Sequence, residues 1–291
     1  MKKFFAILVT VMLIGVTATG CASKSTDNSS SSATKLSGSI SASGSSALFP
    51  LVKDAKSKFQ KINPDVSITV NAGGSGAGLT QVAGGTVDIG NSDVEASTKL
   101  DATTAKTLVD HKICVIGVAA VVNADVTVKN LTTAQLTDIF AGKVTNWKDV
   151  GGADEKITLV TRPTSSGTRA IFKQYAIGNQ EEASNKSLET DDSGTLAQNI
   201  IITKGSIGYL AFSYLTNASA SINSVSIDGV APSTDNVYNG TYKVWGYEHM
   251  YTKGAATGVV KSLLDYMQSS AYSDAMETLG YNLTSKMKTT H

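Results

Sequence analysis

The chain has 291 residues, 41% of them hydrophobic and 17% charged, with a net charge of +1. That length can bury a sizeable core in one large domain or two smaller ones, and the near-zero charge excludes a global field drawing in nucleic acid or an acidic membrane. Aromatic residues make up 7% and form no stripe suited to stacking bases or sugars, so an anion site, if there is one, must be local.

Met1-Lys2-Lys3 supplies positive charge, and Phe4 to Val16 is a mostly apolar run too short for a comfortable transmembrane helix. Ala18-Thr19-Gly20-Cys21 follows and resembles a lipobox, with Ala18 standing where a bulky aliphatic is usual. Residues 1–20 are therefore expected to be a signal peptide, and Cys21 the site of lipid attachment. Residues 21–36 continue as a Ser-rich tract with no apolar set to bury, which predicts a flexible tether. Cys114 sits inside the apolar run Ile113 to Val122 and reads as a small buried hydrophobe, so no disulfide is expected. His111, His249 and His291 are scattered, no cluster has metal-ligand spacing, and no metal or cofactor is expected.

The rest of the chain alternates strand and helix patterns. Ser39 to Ser43 predicts a short strand, and Pro50 suits the first position of a helix whose apolar residues recur at Leu51, Val52, Ala55, Phe59 and Ile62. Val66 to Val70 alternates as a strand, Ala77 to Ala83 fits a short helix after a glycine-rich turn, and Thr86 to Ile89 fits a strand. Ile113 to Val122 is a long buried strand. Thr132-Thr133-Ala134-Gln135 is a capping box opening a helix to about Phe140. Ile157 to Val160 is a strand, and Gly167 to Ala176 a helix with Ile171, Phe172 and Tyr175 on one face. Ile207 to Phe212 and Tyr242 to Tyr251 predict strands, and Val259 to Met267 and Tyr272 to Leu279 predict closing helices. This alternation points to an α/β fold with largely parallel sheets.

Three segments share one physical design: small or hydroxyl residues between a strand end and a helix start. They are Gly44-Ser45-Ser46-Ala47-Leu48-Phe49-Pro50, Gly73-Gly74-Ser75-Gly76-Ala77-Gly78 and Thr164-Ser165-Ser166-Gly167-Thr168. A helix N-terminus leaves backbone N–H groups unpaired and carries partial positive charge, so it can hold an anion without any lysine. Each segment alone is weak evidence, since a Gly/Ser turn before a helix is usually just a cap. Meeting at one point, the three would form a neutral, donor-rich cage. No Gly-Lys-Ser/Thr follows the glycines, so none is a Walker loop.

Arg162, at the end of a strand and four residues before Ser166, offers a planar fork suited to an oxyanion. Asp93, just past a buried strand, would repel an anion unless that anion carries a proton. Hydrogenphosphate can donate an O–H to a carboxylate; fully ionised sulfate cannot, and would leave a buried acceptor against a negative charge. A surface ion pair for Arg162 and a helix cap for Asp93 remain the plain alternatives.

Gly44-Ser45-Ser46-Ala47-Leu48, Gly74 to Val82, Val87 to Asp93 and Arg162 to Arg169 resemble the phosphate-binding proteins of bacterial phosphate ABC transporters. Leu131 to Phe140 and Thr145 to Gly152 match that family as well, and the resemblance runs from about residue 38 to about residue 285. It implies a two-lobed, periplasmic-binding-protein-like (type II) α/β fold with crossing strands between lobes and phosphate in the cleft. By position, it implies hydroxyls from Ser46 and Ser75, a backbone N–H from Ala47, Asp93 as acceptor of the phosphate proton, and Arg162 as charged donor. Ser166, Gly167 and Thr168 would close the third helix around the ligand. Many relatives carry an acid or a glycine between the arginine and the Ser-Gly-Thr, where an acid would restrain Arg162; this chain has Thr164 and Ser165, which leaves the pairing of Arg162 open but not the anion site.

Resemblance and topology together suggest residues 37–120 plus 240–291 as one lobe and 121–239 as the other. The implied partners are inorganic phosphate, ABC permease subunits and, through the lipid on Cys21, the outer face of the cell membrane; the protein is expected to be a monomer that binds no nucleic acid. Two rivals are a binding protein for another oxyanion such as sulfate, and a phosphatase-like enzyme with Ser166 as nucleophile, for which the sequence names no activating base. An added adhesin or sensor role is not addressed by the sequence.

Overall fold

The computed structural model describes residues 35–216 and 221–290. The expected signal peptide, Cys21 and the tether up to residue 34 lie outside the described residues.

The first β-α-β unit is β1 (Gly38–Gly44), α1 (Phe49–Ile62) and β2 (Val66–Ala72), followed by α2 (Ser75–Gly84), β3 (Ile89–Ser92) and a one-turn α3 (Ala102–Ala105). The long strand β4 (Leu108–Asn123) leads to β5 (Asn130–Leu131), α4 (Thr133–Phe140), β6 (Thr158–Thr161) and α5 (Gly167–Ala176). Then come β7 (Ser187–Glu189), α6 (Ser193–Ile202), β8 (Ser206–Ala211), β9 (Ile222–Ile227) and α7 (Thr234–Tyr238). The chain closes with β10 (Trp245–Lys253), α8 (Gly258–Gln268) and α9 (Ser270–Thr278).

Among the described residues the strands follow the order β2-β1-β3-β10-β4-β8-β6-β7, with β9 pairing β4 and β5. The outer strands of each half are parallel, as expected: β1 with β2 and β3, and β6 with β7 and β8. The centre is not. β10 runs antiparallel to β3 and β4, and β4 runs antiparallel to β8 and β9, so the expectation of largely parallel sheets holds only away from the junction. β4 serves both halves. Its residues 108–117 pair with β10, and 118–122 pair with β8.

Burial explains why the sequence makes β4 so apolar. Residues 113–123 are all buried, the pattern of a strand covered on both faces. Cys114 is fully buried there and free, and burial pushes its thiol well up. α1 buries Leu51, Val52, Ala55 and Phe59, but Ile62 is 66% exposed at the helix end, so the periodic set stops one turn early. Pro50 lies in the first turn of α1, where its missing N–H has no intrahelical partner to lose. The capping box at Thr132 and Gln135 is present in both directions, at 3.1 and 2.9 Å. β3 begins three residues later than the apolar pattern suggested. The Asp88 carboxylate takes the N–H of Ser41 at 2.7 Å, so residues 86–88 form a tied turn and the ladder starts at Ile89.

Candidate anion site

The three glycine- and serine-rich segments do open helices, and they touch. Gly44 has φ +134°, and a Cβ on it would run into the Asn91 carbonyl, so only glycine allows this exit from β1. Its own carbonyl accepts the N–H groups of Gly73 and Gly74, both at 2.9 Å, which ties the first segment to the second. Ser45 Oγ accepts the Leu48 N–H at 2.9 Å and closes the turn before α1. Ser46 is buried beside it.

The second and third segments meet at Asp93. Ser75 Oγ accepts the Asp93 N–H at 3.0 Å, and Thr168 Oγ1 donates to Asp93 Oδ2 at 2.7 Å. Gly76 N–H donates to the Ser165 carbonyl at 3.0 Å. A Cβ on Gly167 would lie 2.8 Å from Asp93 Cβ and would also strike Ser75 Oγ. Ser166 caps α5 by accepting the Arg169 N–H at 3.1 Å. Ser46, Ala47, Ser75, Asp93, Arg162, Ser166, Gly167 and Thr168 are all buried, and the N–H groups of Ala47, Gly167 and Thr168 meet no acceptor among the described residues.

Arg162 is held where no acidic neighbour in sequence could hold it. Its Nε donates to the Thr190 carbonyl at 3.0 Å, Nη2 to the Asp191 carbonyl at 2.8 Å and Nη1 to Ser193 Oγ at 3.0 Å. The loop entering α6 thus does the work of the missing acid. Ser193 also closes the gap to the first segment: its Oγ lies 2.9 Å from Ser46 Oγ, and its N–H donates to Ser46 Oγ at 3.1 Å. A second buried arginine supports the first, since Arg169 Nη1 donates to the Arg162 carbonyl at 2.6 Å while its Nε pairs with Glu182 at 3.2 Å.

The electrostatics follow from this geometry. Among the described residues Arg162 has no ion-paired carboxylate. Burial pulls its guanidinium down from the usual arginine range, opposed first by the charge of Asp93. Lys99, whose Nζ donates to the Thr164 carbonyl at 2.6 Å, is likewise lowered by burial and supported by Asp93. Tyr214 donates to the Ser46 carbonyl at 2.8 Å, and burial, with Asp192 second, pushes its hydroxyl up to about 12. The result is a buried site rich in neutral donors, with one guanidinium and one carboxylate acting on each other.

Residues 29–271 match the model of the PBP superfamily domain. The chain is 47% identical to the phosphate-binding protein PstS of Bacillus subtilis over 99% of its own length and 96% of that protein. The chain belongs to the PstS phosphate-binding proteins. Among solved structures it is similar to a putative phosphate ABC transporter substrate-binding protein from Clostridium perfringens with bound phosphate: 31% identity, TM-score 0.77, covering 85% of this chain and 100% of that one. An ABC-type phosphate transport receptor from Vibrio cholerae gives 25% identity and a TM-score of 0.66, covering 84% and 99%. The chain therefore has the two-lobed α/β fold that its motifs resembled.

Sequence reasoning missed Ser193 and Arg169 as parts of this site. For Ser193 a signal existed: Asp192 accepts the Thr195 N–H at 2.9 Å as a helix cap, and Leu196 and Ile200 follow at helical spacing. Arg169 stands inside the Ser-Gly-Thr-Arg segment, but its inward turn depends on Glu182, thirteen residues away and on no shared pattern.

Proposed function

We propose that this protein captures inorganic phosphate between its lobes outside the cytoplasm and delivers it to an ABC-type importer. The observation that carries this reading is the buried Arg162 guanidinium, three of whose N–H groups go to neutral oxygens and which, among the described residues, has no ion-paired carboxylate. A buried charge with no carboxylate directly paired to it is costly, and a desolvated oxyanion beside it would offset part of that cost. Ser46, Ser75, Ser166 and Thr168 would add hydroxyls, and Ala47, Gly167 and Thr168 backbone N–H groups. Asp93 would accept the remaining phosphate proton, which sulfate lacks.

Residues 37–120 plus 240–291 and 121–239 are the proposed lobes. The change of β4 from β10 to β8 near Gly117 and Val118 supports a junction there. Phosphate would make its full contact set only with both lobes closed on it, so binding favours the closed form, and the permease would read that form. The protein would act as a monomer. The lipobox-like Ala18-Thr19-Gly20-Cys21 supports cleavage after Gly20 and a lipid anchor on Cys21 at the outer face of the membrane. Among the described residues no helix is long and apolar enough to cross a membrane. The family consists of solute-binding proteins, and no chemical step is assigned to Ser166.

Equilibrium dialysis of the purified protein against labelled phosphate tests this reading. Saturable binding displaced by unlabelled phosphate, and not by equal sulfate, is expected. Absence of saturable binding, or displacement by sulfate at the same concentration, would contradict it.

A further inference from the structure

Behind Asp93 lies a second carboxyl that the anion site does not use. Glu248 is on β10, opposite Cys114 of β4, and the β10 register shifts between Glu248 and His249. His249 pairs with Ser92, the last residue of β3, which sets Glu248 beside Asp93. Glu248 is 0% exposed. Among the described residues neither of its oxygens, nor Asp93 Oδ1, meets an N–H or hydroxyl donor. The sheet register leaves them facing each other, and Asp93 is the side chain that acts on Glu248, through its charge and as a potential hydrogen-bond partner.

Two carboxyl groups can share a hydrogen bond only when one carries a proton. The surroundings choose Glu248. Burial first, then the charge of Asp93, raise its pKa well above the ordinary carboxylate range. The other titratable groups acting near it are Cys114 on β4, held as a neutral thiol by burial, and Tyr281 after α9, whose hydroxyl donates to the Ala47 carbonyl at 2.5 Å. His249, next on the same strand, is paired with Asp110 at 2.8 Å. The cations near the pair, Arg162 and Lys99, act on Asp93.

We infer that Glu248 is a positioning residue that stays a carboxylic acid and donates its proton to Asp93 Oδ1, leaving Oδ2, already fixed by Thr168, to face the bound oxyanion. This rests on the reading of Asp93 as acceptor of the ligand's proton and deepens it. The shared proton locks the Asp93 rotamer and keeps the pair at a single negative charge. A second charge would appear only when the pair loses that proton as pH rises, and it would expel an anionic ligand. Glu248 thereby sets the upper pH limit of the site.

The test compares wild type, Glu248→Gln and Glu248→Leu by phosphate titration calorimetry from neutral to strongly alkaline pH, with infrared spectra of the ligand-free proteins. Glutamine can donate to Asp93 but cannot ionise. Glu248→Gln should keep neutral-pH affinity within a few-fold and lose affinity less steeply at high pH, while Glu248→Leu, with no donor, should fall by roughly tenfold or more at neutral pH. The carboxylic-acid C=O band of a neutral Glu248 should persist in wild type at mildly alkaline pH and vanish in Glu248→Gln. Equal losses in the two variants, or superimposable alkaline limbs in wild type and Glu248→Gln, would overturn the inference. If wild type binds no phosphate, the functional reading fails separately, and absence of the acid band would still overturn the carboxyl pair.

Discussion

The Arg162 guanidinium donates to Ser193 Oγ at 3.0 Å, and Ser193 in turn meets Ser46 Oγ at 2.9 Å, so one hydroxyl at the start of α6 couples the charged donor to the first glycine-rich segment. Removing it unties both. Ser193→Ala should weaken phosphate binding by about five- to tenfold, corresponding to one or two hydrogen bonds of ordinary net strength. Arg162→Lys should cost more, because an ammonium cannot reproduce the fork that satisfies three acceptors at once. Calorimetry on the two variants checks the order.

Gly167, at the entry to α5, lies against Asp93 with no room for a side chain. A methyl group there lies 2.8 Å from Asp93 Cβ, and overpacking of this kind costs on the order of 1–3 kcal/mol. Gly167→Ala should lower phosphate affinity by about tenfold or more, and, on the proposal that the lobes separate without ligand, should leave the melting temperature of the ligand-free protein nearly unchanged. A matching loss of ligand-free stability would place the clash in the fold itself.

Much of this site was legible because helix starts have a chemical grammar. α5 was expected over Gly167 to Ala176 and is found there, since Ser166 supplies the cap and Ile171 and Phe172 the buried face. The restraint on Arg162 was not legible, because two of its three partners are main-chain carbonyls, at Thr190 and Asp191, and carbonyls leave no trace in a sequence. α6 was overlooked although Asp192 caps it and Leu196 and Ile200 follow at helical spacing. The antiparallel centre was hidden for a different reason. An apolar strand such as β4 looks the same whichever way its neighbours run. Glu248 likewise sits in a strand whose other residues give no hint that this one faces a buried carboxyl.

Glu182 gives the fold a pH signature of its own. Burial, offset by Arg169, raises its carboxyl from 4.5 to about 7. Between those values the folded protein holds a proton that the unfolded chain has lost, so stability from this group is greatest at low pH and declines as pH rises toward 7. The size of the effect is on the order of 3 kcal/mol. Thermal melts of wild type should fall from pH 5 to pH 7.5, and Glu182→Gln should show a flatter dependence over the same window. Parallel curves would remove Glu182 as the cause.

The most direct measurement is a paired titration of phosphate and sulfate into wild type and Asp93→Asn at neutral pH. The uncharged donors and Arg162 would accept either tetrahedral anion; Asp93 is the group that distinguishes one bearing a proton. Wild type should bind phosphate far more tightly than sulfate, and Asp93→Asn should narrow that ratio by at least about tenfold, as expected when a buried charged acceptor is removed. An unchanged ratio, or wild type that prefers sulfate, would contradict the account.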